Sequence, residues 1–65
     1  MTKAEKFVRE INFAVENSED TGEIFDVIQH EAVNVEEYEG FDEYEFRDSS
    51  ILIVPENLEE VDCVM

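Results

Sequence analysis

The strongest constraint on this chain is a large excess of negative charge carried by very few residues. The 65 residues include 19 Asp and Glu but only 4 Lys and Arg, so the formal net charge at pH 7 is −15. A chain of this length has room for one small domain, whose core contributes only a few kcal/mol of stability. Length and charge together favour a binding module over an enzyme with a deep, preorganised cleft.

The composition nevertheless predicts a folded chain. Hydrophobic residues make up 43% of the sequence and aromatic residues 11%, which is richer than in disordered acidic segments. A surface this negative repels phosphate backbones and anionic lipid, which argues against a nucleic-acid binder or a membrane-surface protein. We therefore expect any macromolecular partner to be basic.

Features that direct a protein to a membrane or out of the cell are not evident in the sequence. No apolar run approaches the roughly 20 residues that a bilayer-spanning helix needs. Residues 1–6 lead into a charged amphipathic stretch rather than a secretory signal, and the single cysteine, Cys63, has no partner for an internal disulfide. These features predict a cytoplasmic protein.

The N-terminal half has the periodicity of two amphipathic helices. Apolar residues spaced three and four apart predict a first helix over residues 3–16. After a polar break, Asp20 or Thr21 is placed to cap a second helix, with Glu23 completing a capping box after Asp20. The apolar residues of the two helices are Ala4, Phe7, Val8, Ile11, Ala14 and Val15, then Ile24, Phe25, Val27, Ile28 and Ala32.

The C-terminal half has the two-residue period of strands. Tyr44 and Phe46 alternate with charged residues, and residues 51–54 form a β-branched run that Pro55 ends. Residues 48–50 have turn composition, so the two segments predict an antiparallel hairpin. Residues 56–64 are compatible with a short helical turn or with a further strand. We predict one α+β domain over residues 1–65, with two N-terminal helices packed on a short antiparallel sheet.

The sequence offers little for catalysis or metal binding. It has one histidine, His30, one cysteine, Cys63, and no glycine-rich phosphate loop. The carboxylates of residues 36–45 are oxygen ligands, but Gly40 is misplaced for a calcium-binding loop. We therefore predict no enzyme activity, no cofactor and no dedicated metal site.

The distribution of charge suggests imitation of DNA. Residues 34–65 carry eleven acidic side chains and one basic side chain, against eight and three in residues 1–33. Like charges about 10 Å apart cost about 0.4 kcal/mol per pair in water, so retaining this charge points to selection for it. Carboxylates on alternate strand residues lie about 6.7 Å apart, which is of the order of the spacing of successive phosphates. A rigid surface with this spacing would occupy a basic groove made for DNA.

Aromatic residues within the acidic segment divide into two groups. Tyr44 and Phe46 alternate with charges, as on a packed strand face, so we expect them in the core. Tyr38 and Phe41 lie outside this alternation, and aromatic side chains contribute strongly to binding interfaces. We predict that Tyr38 and Phe41 contact the partner.

Residues 49–61 resemble the signature segment of the bacteriophage uracil-DNA glycosylase inhibitors. In that family a Glu-Ser-Ile-Leu strand runs through two apolar residues into Pro-Glu and then Glu-Glu-Val. Ser49 replaces the leading glutamate, with Asp48 one place earlier as a substitute, and Asn57 replaces another acid. This segment is about a fifth of the chain, and the positions that match are Ser50, Ile51, Leu52, Pro55, Glu56, Glu59, Glu60 and Val61.

The resemblance implies a DNA-mimic inhibitor whose strand lies in the DNA groove of the enzyme. Ile51 and Leu52 would form that strand, and Glu56, Glu59 and Glu60 would imitate phosphates. With the acidic and aromatic candidates above, the predicted partner-binding residues are Tyr38, Phe41, Glu43, Glu45, Asp48, Ser49, Ser50, Ile51, Leu52, Glu56, Glu59 and Glu60.

These observations predict a monomeric phage-type inhibitor that acts in the cytoplasm of the infected bacterium. Its first expected target is uracil-DNA glycosylase. The alternatives are a DNA mimic directed at a CRISPR effector, a restriction enzyme or RNA polymerase. A further alternative is an acidic subunit or antitoxin-like protein that neutralises a basic partner without imitating DNA.

Overall fold

The structure, a computed structural model, describes residues 1–58 and 61–64, which form two helices followed by four strands. The helices pack on one face of an antiparallel sheet with strand order β1-β2-β3-β4, and α1 contacts β3 and β4. The predicted α+β class, with two N-terminal helices on a short antiparallel sheet, is confirmed. The elements are α1 Lys3–Glu16, α2 Gly22–Glu31, β1 Asn34–Tyr38, β2 Phe41–Glu45, β3 Ile51–Pro55 and β4 Asp62–Val64.

Helix α1 has the bounds that its apolar periodicity predicts. Thr2 is the N-cap and forms a capping box with Glu5, in which each side chain accepts a hydrogen bond from the backbone of the other. The carboxylate of Glu5 accepts from Thr2, which lowers the pKa of Glu5. The face that turns toward the sheet is buried at Ala4, Phe7, Ile11 and Ala14.

Helix α2 begins at Gly22 without the predicted capping box. The N-cap residue Thr21 has helical dihedral angles and makes no side-chain cap bond. Asp20 instead accepts a hydrogen bond from the N–H of Gly22 at 2.8 Å, because an Asp side chain readily bonds the backbone two residues on. The far end of α2 is tied to α1 by a 2.8 Å salt bridge between Lys3 and Glu31.

The sheet extends beyond the predicted hairpin on both sides. The β2–β3 hairpin is present, but β1 and the start of β2 were not predicted from the sequence. They are joined by the two-residue turn Glu39–Gly40, in which Gly40 has a φ of +89°, a value that favours glycine. After β3, residues 62–64 form a strand paired with β3, so the strand alternative holds for these three residues. Residues 56–58 form a turn, and residues 59 and 60 lie outside the described part of the chain.

The core lies between the helices and the inner face of the sheet. Tyr44 and Phe46 are both buried, as their alternation with charged residues predicts. The rings of Phe7 and Phe46 are 5.3 Å apart between centroids. Leu52 is fully buried beside them, so β3 contributes its even-numbered residues to the core.

Candidate interaction surface

The helices pack against one face of the sheet, at β3 and β4, and the opposite face is turned away from them. Tyr44, Leu52 and Val54 point inward, so the alternate residues of each strand point away from the helices. We call this side the outer face. By the strand register it comprises Asn34, Glu36, Tyr38, Phe41, Glu43, Glu45, Ile51, Ile53, Pro55, Asp62 and Val64.

All the charged side chains of the outer face are carboxylates. Glu36 on β1 lies directly opposite Glu43 on β2, and Glu45 follows Glu43 on the same side of the strand. Asp62 continues the row of Glu36 and Glu43 across the sheet, beyond Ile53. Opposed strand residues have Cβ atoms about 5 Å apart, and like charges in such pairs are destabilising. The outer face thus concentrates like charge where it lowers the stability of the sheet.

An aliphatic strip runs between these carboxylates. Ile51 and Ile53 are half-buried on β3, with the carboxylates of β2 on one side and Asp62 on the other. A shallow depression of about 110 Å³ opens beside Ile51 and is lined by Asn34, Glu36, Glu43 and Glu45. The outer face can therefore offer both charge and an apolar contact to a partner.

The two aromatic interface candidates form one unit at the end of the outer face. The rings of Tyr38 and Phe41 stack across the β1–β2 hairpin with centroids 4.9 Å apart, and Tyr38 remains 46% exposed. The Tyr38 hydroxyl donates a hydrogen bond to Glu36, which raises the pKa of Tyr38. Glu56 is held nearby, because its N–H donates to the carbonyl of Gly40 at 3.2 Å.

The turn before β3 anchors helix α1. Asp48 accepts hydrogen bonds from the N–H groups of Lys3, at 2.8 Å, and Ser50, at 3.0 Å. The Ser50 hydroxyl donates a hydrogen bond to Asp48. The Oγ atom of Ser50 also accepts a hydrogen bond from the N–H of Ala4 at 3.1 Å. The hydrogen bonds to Asp48 lower its pKa to about 2. The Ser50 hydroxyl makes the largest contribution, and the N–H groups of Lys3 and Ser50 make smaller ones. Ser49, with a φ of +70°, makes the tight turn between them. These bonds give the turn a structural role.

The structure separates the residues predicted to bind a partner. Tyr38, Phe41, Glu43, Glu45 and Ile51 lie together on the outer face. Leu52 and Ser50 do not, because both side chains are buried. Asp48 and Ser49 lie in the turn that holds α1, Glu56 is exposed beyond β3, and Glu59 and Glu60 lie outside the described residues.

Six residues of the outer face were not among the predicted site residues, namely Asn34, Glu36, Ile53, Pro55, Asp62 and Val64. Glu36, Ile53 and Asp62 share a row of the sheet with Glu43. Ile53 is two residues from Ile51 on the same strand, so the strand period places both on one face and could have identified Ile53 from the sequence. Glu36 and Asp62 required the pairing of β1 and β4, which the sequence pattern does not supply.

The described part of the chain contains neither a cluster of metal-ligating side chains nor a membrane-spanning helix. Within residues 1–58 and 61–64, no three His, Cys, Asp or Glu side chains are grouped to hold a metal ion. No helix in these residues has the length and apolar character to cross a membrane. The thiol of Cys63 is half-buried, and burial, with Glu5 and Asp62 nearby, raises its pKa.

The chain was also compared with known proteins. Comparison with protein-family models, curated proteins and solved structures gave no match.

Proposed function

We propose that this protein inhibits a DNA-binding enzyme by occupying its basic DNA groove with the outer face. The observation that carries the proposal is the composition of that face. Four carboxylates, from Glu36, Glu43, Glu45 and Asp62, surround an aliphatic strip, and no basic residue belongs to the face as defined by the strand register. Uracil-DNA glycosylase is the first target to test, because residues 49–61 resemble the signature segment of its phage inhibitors.

The spacing of the charges supports this reading over a diffuse acidic surface. Glu43 and Glu45 are two residues apart on one strand, hence about 6.7 Å apart, and Glu36 faces Glu43 at about 5 Å. Strand pairing fixes the backbone at these positions before a partner arrives, so little backbone entropy is lost on binding. A basic groove is attracted by the net charge and then meets carboxylates held at the spacing of the paired strands.

The placement of Leu52 restricts how the resemblance can apply. Because Leu52 is fully buried in the core, the strand would meet its partner through Ile51 and Ile53. Asp48 and Ser50 support the same strand indirectly, since they hold the turn from which it starts. Contact with the target would therefore be made by the odd-numbered residues of β3 and the acids beside them.

The proposal is tested by a competition experiment. Purified uracil-DNA glycosylase is assayed on uracil-containing DNA with increasing amounts of this protein, and the DNA complex is followed by mobility shift. We expect loss of activity together with release of DNA, because both ligands need one groove. Full activity at an excess of the protein would exclude this target. A pull-down from bacterial lysate, washed at low and high salt, would then identify the basic partner.

Binding of DNA and this protein to one partner at the same time would contradict DNA mimicry altogether. That result would favour the acidic-subunit alternative, in which the charge neutralises a basic surface outside the DNA groove.

A further inference from the structure

A second surface lies on the helical layer, away from the outer face. A groove of about 430 Å³ opens between the C-terminal half of α1 and the start of α2. Its apolar part is formed by Phe13, Ala14 and Ile24. Cavities of this volume are in the range that accommodates a ligand or a large side chain. We call this surface the interhelical groove.

Phe13 distinguishes the interhelical groove from an ordinary crevice between helices. Its side chain is 63% exposed, although its neighbours Ala14 and Ile11 on the same helix are buried. Phe13 lies outside the core cluster and outside the apolar residues packed against it. An exposed aromatic ring beside a cavity is a contact that a partner can complete.

The rim of the interhelical groove is acidic. Glu10, Glu19 and Glu23 line it, and no side-chain hydrogen bond or salt bridge engages them within residues 1–58 and 61–64. Asp20 also lines the groove and already accepts from Gly22, while Arg9 is the one basic residue of the lining. The rim therefore carries an unbalanced negative charge around an apolar floor.

We propose that the interhelical groove binds a basic protein segment that inserts one large apolar side chain against Phe13. Lysine or arginine residues flanking that side chain would meet the carboxylates of the rim. This mode resembles the recognition of amphipathic helices by grooves, in which apolar anchors give affinity and charges give orientation. A second copy of this chain is a poor occupant, because two molecules of net charge −15 repel one another.

The proposal is tested by NMR titration of the intact, isotope-labelled protein. The probe is a synthetic helical peptide about 15 residues long, with lysines around a single leucine stripe. The matched peptide has alanine in place of each leucine. We expect the leucine peptide to shift the amide signals of Phe13, Ala14 and Ile24. Equal shifts with both peptides, or shifts centred on Glu43 and Ile53, would overturn the proposal.

Two variants separate apolar recognition from general charge. Phe13→Ala should weaken binding of the leucine peptide at least tenfold and leave the alanine peptide unaffected. The fold should tolerate this change, because the ring is largely exposed and alanine favours helix. The double change Glu10→Gln and Glu19→Gln should weaken binding more than Glu16→Gln with Asp26→Asn, which removes the same charge elsewhere. Equal effects of the two double variants would overturn a specific rim.

Sedimentation at the same concentrations tests the other occupant. We expect a monomer for both the parent chain and Phe13→Ala. A dimer that Phe13→Ala dissolves would show that a second copy fills the groove, and would overturn the proposed basic partner.

Discussion

Removal of two carboxylates from the outer face tests the proposed function most directly. The variant carries Glu43→Gln and Glu45→Gln, which keep the shape of both side chains and remove two charges. A matched control carries Glu16→Gln and Asp26→Asn, at exposed helix positions whose side chains make no hydrogen bond in the described residues. Both variants change the net charge from −15 to −13.

The two variants should differ greatly in affinity. Each charge-assisted hydrogen bond buried at an interface contributes about 1.5–3 kcal/mol, so losing two costs about 3–6 kcal/mol and raises Kd by roughly 100-fold or more. For the control, a charge about 10 Å from the groove contributes about 0.4 kcal/mol in water, and about 0.1 kcal/mol after screening at physiological salt. The control should therefore lose less than about twofold in affinity.

The same outer-face variant should gain stability. Glu43 lies directly opposite Glu36. Two carboxylates held about 5 Å apart, the Cβ separation of such a pair, repel by about 0.8 kcal/mol in water and by about half of that at physiological salt. Glutamine at position 43 removes this repulsion, so the free energy of unfolding in urea should rise by a few tenths of a kcal/mol. Weaker binding with higher stability separates a binding defect from a folding defect.

Affinity is measured by titration calorimetry against the captured partner, and stability by urea denaturation followed by circular dichroism. Equal losses of affinity in the outer-face variant and the control would refute a specific acidic surface. The charge would then act diffusely, and the geometry of the strands would have no part in recognition.

Three further predictions concern association, the core and the turn. Raising ionic strength should slow the association rate constant much more than it speeds dissociation, and an unchanged association rate in stopped-flow would exclude electrostatic steering. Leu52→Ala should lower the free energy of unfolding by about 2–5 kcal/mol, whereas Ile51→Ala should mainly weaken partner binding; similar unfolding curves for the two would contradict their placement on opposite faces. Asp48, with its folded pKa lowered to about 2, stabilises the fold above its unfolded pKa of about 3.9 and loses this effect as pH falls toward 2. Asp48→Asn should therefore lower the melting temperature at pH 5 but not at pH 2, and a difference that persists at pH 2 would argue against ionised Asp48 as the anchor.

The parts of the fold that the sequence predicts are those with one buried side. In α1, apolar residues at Ala4, Phe7 and Ile11 repeat with the helical period because a single face meets the sheet. Tyr44 and Phe46 predict a strand in the same way, because they face the core and charged residues alternate with them. In these segments the spacing of apolar residues along the sequence shows which side is buried in the folded protein.

Strand β1 could not be predicted in this way. All five of its residues are exposed, so neither face produces an alternating pattern, and Glu36–Glu37 has low strand propensity. Its strand conformation comes from pairing with β2 across the Glu39–Gly40 turn. The glycine between two aromatic residues was the one local signal.

The candidate site was predictable to the same extent as the strands that form it. Glu43, Glu45 and Ile51 follow from charge and resemblance, but the face on which each lies depends on strand parity. A shift of one residue exchanges Ile51 and Leu52 between surface and core. We expected Ser50 and Asp48 at the interface. Their hydrogen bonds to the backbone of Lys3 and Ala4 show instead that they anchor the start of α1, and contacts this distant in sequence leave no local pattern.

The exposed position of β1 has a consequence for how the protein behaves in concentrated solution. An edge strand offers unpaired backbone groups to any other chain, and both Val35 within β1 and Val33 just before it are exposed. At neutral pH the net charge of −15 keeps copies of the chain apart. Near pH 4.1, where the net charge vanishes, that barrier is lost and strand-to-strand aggregation becomes the main hazard. The protein would therefore lose solubility near pH 4.1 even if its fold remains intact at that pH.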